Sequence, residues 1–481
     1  MRPMPGTRRL LTLDTVWWLL PPCLAAMWAF LMPVDPADLW HHAALGRWIA
    51  QERAVPTADT FSFTQAGQPY HYQAWLGGLL LYLTLAAGGV TLVILLHAAV
   101  LVGSTALLLR WTASRCRHLP LAAALVCASI PLVANNWNVR PQTFAIPVLL
   151  AFAWVLDVHR RTRAAPLWLL PPLMALWVNL HGTFALGLLM LAIAMLAEGL
   201  RPPGRGRALG WFALTALATL VNPRGLEIFA YLRGLLTHST VKERIVEWQP
   251  LVSEPLFATF VGAYALLLAG ALLGARRRPA PADLLLAAML AVIGWSSLRS
   301  VMWFVWLTIP MLAEALTAGR LAFERAPHAG RPAVNAALAL LLLAAVAACS
   351  PFVKPRLPLD DRMRPLIALE TPVEAVEALA ADPEPPGRLF HPMEYGSYLM
   401  WAEPRVPVFS DPRIELYPPA LWSEYLELCA GREAPRRLDE LRIDGLLLSR
   451  REQGELIRAV EAAGGWTLRH EDARAVYLRR R

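Results

Sequence analysis

Long apolar runs alternate along the chain with short breaks rich in arginine or proline. Each run holds roughly 14 to 22 residues, near the roughly 20 that a helix needs to cross a bilayer. Positions 14–33, 89–110, 119–135, 143–158, 166–179, 183–199, 208–221, 255–274, 282–298, 300–317 and 333–351 read as about eleven transmembrane helices. Helix is the expected form because lipid leaves no partner for an unpaired backbone group. The run Ala74 to Ala87 (AWLGGLLLYLTLAA) is short for a crossing and reads as an interfacial helix, so that residues 34–88 form one large external loop. Beyond about residue 352 the pattern changes. Residues 352–365 make a Pro/Arg/Asp-rich linker, and in 366–481 the apolar runs are short. There RLFHP, VPVFSD, GLLLSR and AVYLRR read as strands, alternating with helices near Val373–Ala381, Leu421–Ala430 and Glu452–Ala463. The expected fold is a polytopic α-helical transmembrane domain over 1–351, followed by an α/β domain over 366–481 large enough to bury its own core.

Composition excludes a single soluble domain, since 56% of residues are hydrophobic and 17% charged. The net charge of +9 is informative only by position. Arginine triplets stand on alternate connections: Arg2, Arg8, Arg9; Arg110, Arg115, Arg117; Arg160, Arg161, Arg163; Arg201, Arg205, Arg207; Arg276, Arg277, Arg278; and Arg320, Arg325, Arg331. The positive-inside rule then makes the N-terminus cytoplasmic and, with an odd number of spans, the C-terminal segment extracytoplasmic. A multi-pass protein of a bacterial plasma membrane is expected, with membrane lipids as partners and no nucleic acid. Leu13 to Pro33 lacks a small-x-small cleavage pattern and reads as a retained helix. The five cysteines show no metal-type spacing and no disulfide framework is expected.

Polar residues within the runs sort to their ends. Asp14, Asp157, Glu198 and Glu314 fall near inner ends, where charge reaches water, and mid-span His97 reads as a packing hydrogen bonder. The outer ends carry Asp35, Asp38, His41 and His42; Arg140; Asn179 and His181; Asn222 and Arg224; and Arg299. Carboxylate, imidazole and guanidinium gathered at one membrane surface suit a reaction centre for an anionic lipid head group, the alternative being simply polar outer loops.

The first loop, DPADLWHHAALGRWIAQERAVPTADTFSFTQAGQPYHYQAWLGGLLLY, resembles the first external loop of GT-C glycosyltransferases of the protein O-mannosyltransferase and aminoarabinose-transferase type. Asp38, Pro56 and Trp75 to Tyr82 match that layout, although Asp35 and Asp38 stand as D-x-x-D where the family has an adjacent acidic pair. D-L-W-x-H (Asp38 to His42), R-P-Q (Arg140 to Gln142), N-L-H-G (Asn179 to Gly182) and N-P-x-G-L (Asn222 to Leu226) are similar to elements of a bacterial GT-C-like branch, over most of the chain. The resemblance implies a hexosyl- or pentosyltransferase that moves a sugar, with inversion, from a polyprenyl-phosphate donor to a lipid, glycan or protein acceptor outside the membrane. Asp38, or else Asp35, would be the general base. Arg140, Arg224, Arg299 and His181 would hold the donor phosphate, and His41, Asn179 and Trp75 would orient substrate.

Asp35, Asp38 and His41 also share one face if helical, a set that suits Mg²⁺ or Mn²⁺, whereas the O-mannosyltransferase type needs no metal; both stay open. In the C-terminal segment the Tyr395–Gly396 step resembles the WWDYG element of oligosaccharyltransferases without its tryptophans. Glu394, Tyr395, Asp411 and Arg413 are expected either in acceptor recognition or in structure, with Gly396 in a turn and Asp411–Arg413 as a local ion pair. Two other classes compete. A transporter or flippase is opposed by the lack of mid-membrane charge pairs and by the large first loop; the other is an inactive scaffold that binds glycan through the C-terminal domain.

Overall fold

The computed structural model describes residues 12–199, 206–237, 245–318 and 331–481; Arg2, Arg8, Arg9, Arg201, Arg205, Arg320 and Arg325 lie outside the described residues. The apolar part forms α1 (Leu13–Leu31), α2 (Asp38–Glu52), α3 (Trp75–Cys116), α4 (Leu119–Val133), α5 (Gln142–Thr162), α6 (Leu170–Leu180) and α7 (Phe184–Gly199). It continues through α8 (Gly206–Leu217), α9 (Glu227–Thr237), α10 (Pro255–Gly274), α11 (Pro281–Ser296), α12 (Val301–Thr317) and α13 (Pro332–Cys349). Every expected span falls on a helix. Among the described residues seven helices are long and apolar enough to cross a membrane, against the eleven expected. The shortfall of four is one of length: Leu167–Leu180, Phe184–Gly199 and Pro281–Ser296 are apolar, but at about 1.5 Å per residue they fall short of a ~30 Å hydrocarbon layer, and Gly206–Leu217, on the expected span 208–221, is shorter still. The chain is a multi-span helical membrane protein.

Burial divides the helices by role. From Val301 to Ala313 every residue of α12 is buried, making it the central column. On α10 and α13, Leu273 and Leu340 are 88% and 66% exposed, as lipid-facing leucines would be. The long α3 breaks at Gly88 and Gly89, where Gly89 has a φ of 63°, a conformation glycine adopts without strain. The break lies where the interfacial run was expected to give way to the second span.

Helix α2 crosses the start of α3 very closely. A Cβ on Gly46 would lie 2.2 Å from the Gly78 carbonyl oxygen, so two glycines let the backbones meet. The last turn of α1 is held by buried Lys354, whose Nζ donates to the Leu31 oxygen at 3.0 Å. Together these contacts set the position of the short Met32–Ala37 connection and of Asp38, the first residue of α2.

The C-terminal segment adds α14 (Val373–Ala380), α15 (Met393–Ala402), α16 (Pro419–Cys429), α17 (Ala434–Glu440) and α18 (Gly454–Ala463). Its four strands, β1 (Leu389–Phe390), β2 (Gly445–Ser449), β3 (Trp466–Glu471) and β4 (Ala475–Arg480), pair in the order β1-β2-β4-β3, parallel between β1 and β2 and antiparallel elsewhere. Two expectations are corrected. VPVFSD makes no strand of this sheet: Val408 pairs with the first loop, donating to the Phe61 oxygen and accepting from Phe63 N–H. Gly396 lies inside α15 and not in a turn; a Cβ there would sit 2.2 Å from the Ser410 oxygen, so close helix–loop packing requires it. One apolar cluster joins Leu45, Ile49 and Tyr72 of the first loop to Leu399, Val408 and Tyr477 of the C-terminal segment.

Candidate active site

A cavity of about 800 Å³ opens where the first loop, the C-terminal segment and one set of helix ends meet. Its wall takes Asp38 and His41 from α2, Arg140 from the α4–α5 turn, His181 after α6 and Arg299 between α11 and α12. With His42, also on α2, six of the outer-end residues singled out in the sequence thus converge. Arg413 joins them from the C-terminal segment.

Asp38 opens α2, where the helix N-terminus favours a negative charge. Its Oδ2 lies 3.5 Å from Arg140 Nη1, and its side chain is 22% exposed. Asp35 is used differently. It accepts from Ala37 N–H at 2.7 Å, a local turn that starts α2, and it does not line the cavity. Burial, then the nearby Asp38 charge, push its carboxyl up to about 6.

Arg140 is buried and held by three groups: Asn136 Oδ1, Asp38 and the Glu247 carboxylate at 2.9 Å. Arg299 donates to Gln142 Oε1 at 2.8 Å, stacks over the Trp248 ring at 4.7 Å and meets Glu247 at 3.5 Å. Glu247 therefore bridges the two arginines. Burial raises its carboxyl, but Arg140 and Arg299 outweigh burial and hold it below the ordinary value. Neither Glu247 nor Trp248 was singled out in the sequence. They sit in the turn Val246–Trp248 without motif or periodicity, and only their tertiary partners distinguish them.

Two of the cavity imidazoles have tautomers set by their partners. His41 Nδ1 lies 2.9 Å from the Ala37 carbonyl oxygen, which can only accept, so Nδ1 carries the proton and Nε2 is an acceptor while the ring is neutral. Burial lowers its pKa, with Asp411 and Asp38 pulling the other way. His181 is the opposite case: Nδ1 accepts from Thr183 N–H at 3.2 Å, which leaves Nε2–H as a donor. The cavity also has an aromatic wall, in which His71 and Tyr231 stack at 4.8 Å.

Other expected site residues sit elsewhere. Arg224 donates to the Tyr70 oxygen at 3.0 Å and to the Pro56 oxygen at 3.3 Å, bracing the first loop beside a separate cavity of about 10 Å³. Trp75 and Asn179 line that small cavity too and bond each other at 2.7 Å. Glu394 and Tyr395 lie on α15 outside the large cavity; burial, then Glu452 and Asp35, push the Glu394 carboxyl up to about 7. Arg413 reaches the cavity wall with its charge already balanced, by both oxygens of Asp411 at 2.8 and 2.7 Å and by Asp59 at 2.8 Å. Tyr417 bonds the same Asp411. Burial opposes ionisation of Asp411, yet Arg413 outweighs it and keeps the carboxyl below its usual range.

Asp35, Asp38 and His41 do not bring ligand atoms together. Among the described residues the one group of three that does is Glu374, His470 and Asp472, on the C-terminal segment. At the other ends of the helices three of the four acids assigned to water, Asp157, Glu198 and Glu314, are paired instead, and Asp283, not singled out in the sequence, joins them. Asp157 meets Arg115 at 3.4 Å and Arg160 at 2.7 Å, Asp283 meets Arg160 at 2.6 Å, Glu314 meets Arg115 and Arg161, and Glu198 meets Arg163. Asp157, Asp283 and Glu198 are buried. The cavity among them measures about 60 Å³, too small for more than a few waters.

No family model and no curated protein matches the sequence. Solved structures do match. ArnT from Cupriavidus metallidurans bound to undecaprenyl phosphate superposes with a TM-score of 0.54 at 13% identity, over 96% of this chain and 97% of that one. Its apo state gives 0.52 at 15% identity, over 95% and 96%. The arabinofuranosyltransferase AftD from Mycobacteria gives 0.55 at 18% identity, over 96% of this chain and 41% of AftD. Across nearly its whole length, the chain has the fold of the GT-C membrane glycosyltransferases ArnT and AftD.

Proposed function

We propose that the protein is a GT-C glycosyltransferase that moves a sugar from a polyprenyl-phosphate donor to an acceptor hydroxyl on the extracytoplasmic face of a bacterial plasma membrane. The observation that carries this reading is the approach of a carboxylate, Asp38, to buried Arg140 in an 800 Å³ cavity that half-buried Arg299 also lines. ArnT, whose fold this is, has been captured with undecaprenyl phosphate. In the proposed step Asp38 takes the acceptor hydroxyl proton while that oxygen attacks the anomeric carbon. The bond from this carbon to the phosphate oxygen breaks, its electron pair leaving with polyprenyl phosphate, and the configuration inverts. Arg140 and Arg299 stabilise the departing phosphate, since two guanidinium groups offer paired donors where negative charge grows. His181, with Nε2–H as donor, supports the same phosphate, and the His71–Tyr231 wall gives the sugar an apolar face to lie against.

The test is turnover by the full-length protein in lipid nanodiscs with a panel of labelled polyprenyl-phosphate pentoses and hexoses. Transfer or hydrolysis of one donor is expected, and Asp38→Asn should lower it by about 10²–10⁴-fold. Undiminished transfer in the variant sinks Asp38 as the base, and silence of the unmodified protein with every donor sinks the enzyme reading.

A further inference from the structure

Arg140 and Arg299 are the strongest anion-binding feature of the cavity, and they are already occupied. Glu247 contacts Arg140 at 2.9 Å and Arg299 at 3.5 Å, so with Asp38 beside Arg140 the four charges balance. A phosphate added to that set would meet two carboxylates. One of them has to withdraw, and in the proposed reaction Asp38 is needed where it stands.

The fit of Glu247 is also incomplete. Among the described residues, Arg140 Nε and Gln142 Nε2 are buried donors with no hydrogen-bond partner. Gln142 spends its oxygen on Arg299, so its amide N–H₂ is free beside the pair. A buried orphan donor is costly, and a carboxylate has only two oxygens to share between two guanidinium groups. The phosphate monoester released by the proposed transfer brings three. Glu247 is moreover the most solvent-accessible member of the cluster, its side chain 30% exposed against 7% for Arg140 and 16% for Arg299.

We propose that Glu247 is a stand-in for the lipid phosphate: it neutralises Arg140 and Arg299 in the empty site, is displaced when an alkyl phosphate binds, and by returning helps to expel the phosphate product. The inference rests on the reading of this cavity as a polyprenyl-phosphate site. Its consequence is specific. The residue lowers affinity for the phosphate and speeds release, so removing its charge tightens binding and slows turnover.

The experiment measures dodecyl phosphate and, separately, inorganic phosphate binding to the full-length protein in nanodiscs by ³¹P NMR titration, comparing the unmodified chain with E247Q and Q142L. Gln at 247 keeps the shape of Glu, and thermal unfolding of each variant verifies folding. E247Q is expected to bind dodecyl phosphate about tenfold more tightly and Q142L about tenfold more weakly. In steady state E247Q should lower both KM for the donor and kcat, a pairing that a merely structural residue would not produce. Equal or weaker dodecyl phosphate binding by E247Q overturns the stand-in role, and so does failure of every variant to bind. Tightening for inorganic phosphate alone assigns the site to a free anion and overturns the lipid part. Because no sugar is involved, a failure here is distinct from failure of the transferase reading, which shows only in the donor panel.

Discussion

At the scale of single residues, the charged groups around the large cavity divide by what already satisfies them. Arg413 is committed to structure: Asp411 and Asp59 face its guanidinium, and all three side chains are buried. The pair Asp411–Arg413 is local in sequence, as expected, but its second carboxylate comes from the first loop, so the arginine fastens two distant segments. Removing one partner of a buried ion cluster leaves uncompensated charge. Arg413→Met is therefore expected to cost about 3–5 kcal/mol, visible as a large drop in the thermal midpoint, while Arg413→Lys should recover only part because it cannot make the bidentate contact. A midpoint unchanged in both variants would contradict this. Asp38, Arg140, His181 and Arg299 were legible in the sequence because polar residues at the ends of apolar runs must lie near one surface. Glu247 was not, since one acid in a polar turn looks like any other until its partners are known.

At the scale of elements, the glycines of the α2–α3 crossing decide where Asp38 stands. A Cβ on Gly77 would come within 2.5 Å of Pro141 Cβ, one residue from Arg140, and a Cβ on Gly46 would strike the Gly78 carbonyl. Gly46→Ala must push α2 away from α3, an overpacking cost of about 1–3 kcal/mol, and with it Asp38 moves relative to Arg140. Gly77→Ala displaces the arginine instead. Both variants should stay folded and bind dodecyl phosphate less tightly, whereas Gly103→Ala, whose Cβ meets open space on the same helix, should match the unmodified chain in the same titration. Helix positions were readable throughout the apolar region because periodicity and length are strong signals there. Elements of the C-terminal segment were read less completely: α15 carries a mid-helix glycine that mimics a turn, β3 has mostly exposed residues and no apolar alternation, and VPVFSD has strand character but finds its partner in the first loop. Such pairings are set by tertiary contacts that no local pattern contains.

At the scale of the whole molecule, the first loop and the C-terminal segment share one buried seam, and that seam is predicted to respond to pH. Val34 and Ile367 are bridged across it, with Val34 N–H donating to the Leu366 oxygen at 2.8 Å. Asp35 at the loop end and Glu394 on α15 both have carboxyls raised by burial, to about 6 and about 7, and each faces further acids. Glu394 is surrounded by Glu452, Asp35 and Glu370, with Arg451 the opposing charge; Asp35 faces Asp38 and Arg140. For an acid whose folded-state pKa lies above its unfolded value, the neutral form belongs to the folded state. The contribution of Glu394 to stability is thus fully present below the ordinary glutamate value of 4.5 and is lost as pH rises through about 7; that of Asp35 is lost through about 6. Between about pH 6.5 and pH 8, where the lowered histidines are neutral in the folded and unfolded chain alike, the thermal midpoint of the full-length protein should fall. His71 and His391, held down to about 4 by burial, oppose the acids only below that window: there unfolding lets them take up protons, so their contribution to stability rises with pH up to about 6.5. Glu394→Gln removes the most strongly raised carboxyl, so its midpoint should vary less over the same range and exceed that of the unmodified chain at pH 8. Parallel curves for the two proteins would show that the seam does not titrate through this residue.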